Sequence, residues 1–199
     1  MSISRTHILV AAAATVLLAA GCSDDSTATH TTEHSTTITT SAAASTDFND
    51  ADVSFLQMMY PHHAQAVEMA KMVPSHTQNQ QLIALAAQVE KAQAPEMQQI
   101  TDLLVGFGKP APSATEGHGG HAMPGMMTDA QMGSLQAANG ADFDRQWLEM
   151  MIDHHEGAVR MAQTELNVGV NPPSRQLATK IIADQEAEIA TMRGMLAQN

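Results

Sequence analysis

Two stretches of this sequence carry the residues best suited to chemistry. They are "MMYPHHAQAVEMA" over residues 58–70 and "MMIDHHEGAVRMA" over residues 150–162. Each holds a methionine pair, a histidine pair and a later methionine at one spacing. Met58 stands four before His62 and Met59 four before His63. Met150 and Met151 stand four before His154 and His155. Residues four apart on a helix are neighbours, so each thioether can lie one turn from an imidazole. Thioether sulfur with imidazole nitrogen is a soft donor set. It suits copper, Cu(I) above all, and not the hard cations Mg²⁺ and Ca²⁺. A plainer role competes. The chain has 15 Met but one Trp, one Tyr and four Phe. Methionine could simply fill an aromatic-poor core, with buried histidines satisfied by Glu or Gln.

The elements that carry these residues follow from periodicity. At about 100° per residue, with Met150 at zero, Met161 falls at about 20°, His154 at about 40° and Trp147 at about 60°. Ala158 follows at about 80°, Met151 at about 100° and His155 at about 140°. Every Met and His of the stretch therefore shares one core-facing stripe, while Asp153, Glu156 and Arg160 point elsewhere. A later segment puts Gln185 and Glu188 in the apolar stripe of Leu177, Ile181, Met192 and Met195. Gln93 and Glu96 take the same place in the first half. A carboxylate on a core face needs a partner, and a histidine on the facing helix supplies one. Such a contact would fix the imidazole tautomer, as outer partners do for metal-bound histidines.

The two halves repeat at a constant offset of 92 positions, without a gap. The offset relates His62 to His154, His63 to His155, Asp52 to Asp144, Leu56 to Leu148 and Phe55 to Trp147. It relates Met69 to Met161, and in the later segments Leu85 to Leu177, Gln93 to Gln185, Glu96 to Glu188 and Leu104 to Leu196. Each half is expected to be a helical hairpin, the first over 47–105 and the second over 141–197. Two hairpins that bury their stripes make an all-α, antiparallel four-helix bundle. The first helix is expected from Asp50 as cap to a stop at Pro74, and the second over 77–105 with a kink or local break at Pro95. The third is expected over 143–166 and the fourth from a Ser174 cap to near residue 196. A glycine- and proline-rich, flexible connector, 106–140, carries a short extra helix, because Thr128 and Gln131 have capping-box spacing. It also carries His118, His121, Met123, Met126, Met127 and Met132, further donors with little packing reason to be there.

The first 21 residues look like a targeting segment: Arg5, an apolar run, then "AAGC" ending at Cys22. This resembles a bacterial lipoprotein signal, which implies a lipid anchor on Cys22, the single cysteine. Residues 22–46 are rich in Ser, Thr and Ala and are expected to be a flexible tether. His30 and His34 within it are expected to be solvated. The bundle domain then spans 47–199. With Cys22 acylated no thiol remains for disulfide or nucleophilic chemistry. The net charge of −12, with nine Lys and Arg, leaves no footprint for nucleic acid. Di-iron bundles need repeated Glu-x-x-His motifs, absent from both histidine-bearing segments, and zinc hydrolases of the H-E-x-x-H type are equally unsupported. No enzymatic activity is expected.

The paired "MM..HH..A..MA" segments, the "MPGMMTDAQM" connector and the "Q..E" partner segments resemble the domain of unknown function 305 family, over about residues 47–196. The resemblance implies a ferritin-like four-helix bundle, usually secreted, with some members binding copper in the periplasm. It implies metal ligation at Met58, Met59, His62, His63 and Met69, and at Met150, Met151, His154, His155 and Met161. Pro61, before the first histidine pair, departs from the acidic or polar residue often found there. The expectation is an extracytoplasmic, lipid-anchored protein that sequesters or transfers copper. Its affinity should fall below about pH 6.5 as histidine protonates. A non-catalytic envelope scaffold and a metal-dependent redox enzyme are the alternatives.

Overall fold

The computed structural model describes residues 47–113 and 123–198. The leader, Cys22, His30, His34, His118 and His121 lie outside the described residues. Among the described residues five helices follow one another: α1 Asp50–His76, α2 Gln80–Gly106, α3 Asp129–Ala137, α4 Gly140–Val168 and α5 Pro172–Leu196. The four long helices pair as α1 with α2 and α4 with α5, and the hairpins meet mainly through α1 and α4. None of the described helices is long and apolar enough to cross a membrane.

Local chemistry sets the ends, in places differently from expectation. The cap of α1 is Asn49, not Asp50. Its side chain accepts from the Ala51 and Asp52 amides, and the Asp52 carboxylate accepts from the Asn49 amide at 2.7 Å. That reciprocal box satisfies donors a lone Asp50 cap would leave open. Pro74 does not stop α1, which runs one turn further to His76. A proline removes only its own donor, and Thr77 supplies the final amide bond, to the Val73 carbonyl. Pro61 and Pro95 likewise sit inside continuous helices. The cap of α2 is Asn79, so the helix starts later than expected. Asn171, not Ser174, caps α5, with Pro172 and Pro173 in the first turn and the Ser174 amide donating to it. The Thr128–Gln131 box heads α3 as expected.

The 92-residue offset is a pseudo-twofold of the core. One apolar cluster holds Ala66, Met69, Leu85, Val89, Trp147, Leu148, Met151 and Met192. The other holds their offset counterparts Ala158, Met161, Leu177, Ile181, Phe55, Leu56, Met59 and Ile100. Polar ties at the ends obey it too. The Asp52 carboxylate accepts from the Asn171 amide at 2.9 Å, and the Asp144 carboxylate accepts from the Asn79 side-chain amide at 2.9 Å. Each helix-start aspartate thus grips the asparagine that opens the other hairpin's second helix.

On all four long helices the boundary between the clusters falls on the same polar residues. In α1 His62 and His63 separate Met59 from Ala66, and in α4 His154 and His155 separate Ile152 from Ala158. In α2 Gln93 and Glu96 separate Val89 from Ile100, and in α5 Gln185 and Glu188 separate Ile181 from Ile189. A polar layer crosses the middle of the bundle.

Candidate metal centre

Adjacent helical residues diverge by about 100°, so a histidine pair cannot face one partner. His62 and His154 point across the α1–α4 seam and meet, ring centroids 3.8 Å apart with planes at 40°. His63 and His155 turn to their own hairpins. His63 Nε2 lies 2.7 Å from Glu96 and His155 Nε2 lies 2.6 Å from Glu188. All four imidazoles are fully buried.

These contacts decide the tautomers. An ionised carboxylate only accepts, so His63 and His155 donate from Nε2–H. His62 donates from Nε2–H to the Pro124 carbonyl at 3.0 Å. In the neutral ring each Nδ1 then carries a bare lone pair. Those of His62, His63 and His155 find no hydrogen-bond partner among the described residues. Among the described residues neither nitrogen of His154 makes a well-formed hydrogen bond, and the His62 backbone offers it a weak contact. The amide groups of Gln93 and Gln185, one turn before the glutamates, are buried with neither atom paired among the described residues. Unpaired buried polar atoms cost roughly 1–3 kcal/mol each, so a layer with this many is built for something besides packing.

The layer also keeps the imidazoles of His62 and His154 uncharged. Burial, then the neighbouring His63, pulls His62 down to about 3, against the small opposing effect of the Pro124 carbonyl. Burial, then His62, His155 and His63, puts His154 well below the ordinary histidine range. Neutral imidazole is the metal-ligating form, and here it persists at acidities where an exposed histidine would protonate. The expected onset of acid release near pH 6.5 is therefore set too high for these two residues. Burial would raise Glu96, but hydrogen bonds from His63 and from Lys180, at 2.8 Å, hold it below the ordinary range.

The methionines bracket this layer. Met59 and Met161 belong to one cluster, and Met69, Met150 and Met151 to the other; Met58 packs on the first and is half-buried. Among the described residues no group of three His, Cys, Asp or Glu side chains is placed to hold an ion. An ion held here would draw on sulfur as well as nitrogen, which favours soft metals over zinc or iron.

The connector is not the flexible segment it was expected to be where it crosses the bundle. Residues 123–127 are strapped over the α1–α4 seam. The Gln65 side chain donates to the Met127 carbonyl at 2.9 Å and accepts from the Met127 amide at 2.7 Å. Gly125, at φ 81°, and Gly157 of α4 let the backbones close, and a Cβ on Gly157 would overlap the Pro124 carbonyl. Met127 is buried in the core, Met132 packs against it, and Met123 and Met126 are half-buried. Met127 therefore has a packing reason for its place. Sequence reasoning missed Pro124 and Gln65. The one available signal was Gln65 standing where the repeat has Gly157.

A family model, "Domain of unknown function (DUF305)", matches residues 52–196. Solved structures agree. A DUF305 protein from Streptomyces coelicolor, described as secreted, is 32% identical with TM-score 0.68, covering 74% of this chain and 93% of its own. A DUF305 fragment from Deinococcus radiodurans gives 32% and 0.68, covering 76% and 98%. CopM in a Cu(II)-bound form is 33% identical with TM-score 0.65, covering 74% and 96%. CopM is also similar in Cu(I)-bound and silver-bound forms. No curated protein matches by sequence.

Proposed function

The chain belongs to the DUF305 family, and we propose that it binds a soft metal ion, copper above all, in the buried layer of histidines and methionines. The observation that carries this reading is the set of Nδ1 lone pairs on His62, His63 and His155. Each is buried and unpaired while the opposite nitrogen is committed to an acceptor. An outer hydrogen bond that orients the ring and raises its basicity is how proteins prepare histidine for metal. Met58, Met59, Met150 and Met151 stand one turn before the four histidines and offer sulfur beside nitrogen. CopM, similar in fold, takes copper in both oxidation states and silver.

The role that fits is storage or delivery without catalysis, outside the cytoplasm, with Cys22 as a lipid anchor. A similar protein is described as secreted, which supports the location. A scaffold role accounts for His63–Glu96 and His155–Glu188 as satisfied core pairs. It leaves Gln93, Gln185 and His154 unexplained.

Protein recovered from its native envelope and analysed for elements tests the proposal. Copper near stoichiometric with protein is expected. Iron in its place, or no metal after growth in copper, would overturn it.

A further inference from the structure

A pseudo-twofold bundle should offer two equivalent ways to its middle. The connector removes one. Met127, Leu135 and Met132 join the cluster that holds Met69 and Met150 and cover that end of the core. The offset counterparts of those two methionines, Met161 and Met58, line an open groove of about 310 Å³ between α1 and α4. Phe55, Pro124, Thr164 and Glu165 are among its other walls. Met58 is half-buried here, whereas Met150 is closed into the core.

One residue is shared by groove and polar layer. Pro124 forms part of the groove wall, and its carbonyl is the acceptor for His62 Nε2. Met58 is one turn before His62, and Met161 lies two turns beyond His154. The groove is therefore lined by one thioether from each half, Met58 half-exposed and Met161 nearly closed over, and Pro124 links it to His62, whose ring meets that of His154. Arg160 lines it too, exposed, and its charge opposes divalent cations more than monovalent ones. What the groove accepts well is a soft ion exchanging onto sulfur.

We propose that this groove is a loading port: a soft monovalent cation is taken first by Met58 and Met161, then passes beneath Pro124 to His62 and His154. The inference rests on the metal-binding function proposed above.

Plugging the groove from its walls tests it. Ser54 and Thr164 both line the groove, are exposed and lie outside the donor set. Ser54→Trp and Thr164→Trp are made in the full chain, with Ser134→Trp on the α3 face as a control of equal bulk. Cu(I) is delivered from a chromophoric chelator in stopped flow, and affinity is measured separately by competition at equilibrium. Circular dichroism confirms that each variant is folded. Both plugs should slow uptake roughly tenfold or more while affinity and stoichiometry stay at wild-type values, because a blocked path changes rates and not end states. Ser134→Trp should load like wild type. Wild-type uptake rates in both plugged variants would overturn the port and leave the metal site standing. No Cu(I) bound by wild type would instead overturn the proposed function, and the port with it.

Discussion

The rings of His62 and His154 meet 3.8 Å apart in the middle of the bundle, one from each half, and both are held neutral. Among the described residues nothing pairs either His154 nitrogen with a good hydrogen bond. Burying those nitrogens without partners should cost the metal-free protein stability. His154→Leu removes two orphaned polar atoms and keeps comparable bulk. Urea denaturation of the metal-free variant should show a gain of about 1–3 kcal/mol, the pattern of a functional site relieved of its burden. A loss of that size would mean His154 is a structural core residue.

Acid should destabilise the metal-free fold through the same pair. The folded value of His62, about 3, lies below its ordinary 6.5. The unfolded chain therefore takes up a proton that the folded one refuses. The contribution is complete above pH 6.5 and is lost as pH falls toward 3, with His154 acting in the same direction. Glu165 opposes it. Burial and the adjacent Asp52 carboxylate raise it from 4.5 to about 8, so its contribution is present below pH 4.5 and lost as pH rises through 8. Melting curves of wild type and Glu165→Gln should diverge progressively between pH 4.5 and 8, with the variant gaining. A constant difference across that range would contradict the assignment.

Two glycines should respond to alanine with opposite signs. At Gly157 the added methyl overlaps the Pro124 carbonyl, and at Gly133 of α3 it meets nothing within 4 Å. Gly157→Ala should cost about 1–3 kcal/mol through overpacking and open residues 123–127 to proteolysis. Gly133→Ala should gain about 0.5–1 kcal/mol from helix propensity. Thermal melts and limited proteolysis compare them. Equal effects would mean the strap is not held against α4.

Much of the arrangement was legible because it is encoded twice. The repeat implied two hairpins, and the core-face positions of Glu96 and Glu188 implied facing histidines, which the bundle supplies. Cap choice was harder. Asn49 against Asp50 turns on backbone angles that neighbouring polar residues satisfy almost equally well. The strap was out of reach for a different reason. Its contacts run through the backbone at Pro124 and Met127, and backbone carbonyls have no letter in a sequence. It also breaks the pseudo-twofold at Gln65 and Gly157, so the repeat that implied the two hairpins is silent there.

The most direct test of the account is a titration of metal-free protein with Cu(I) against a competing chelator. Wild type is compared with His154→Ala/His155→Ala and with the apolar His154→Leu, all checked for folding. Affinity should fall by roughly tenfold or more in both variants, the scale of losing a ligand or its orienting partner. Equal affinity in wild type and variants would contradict the claim that the buried histidine layer holds the metal.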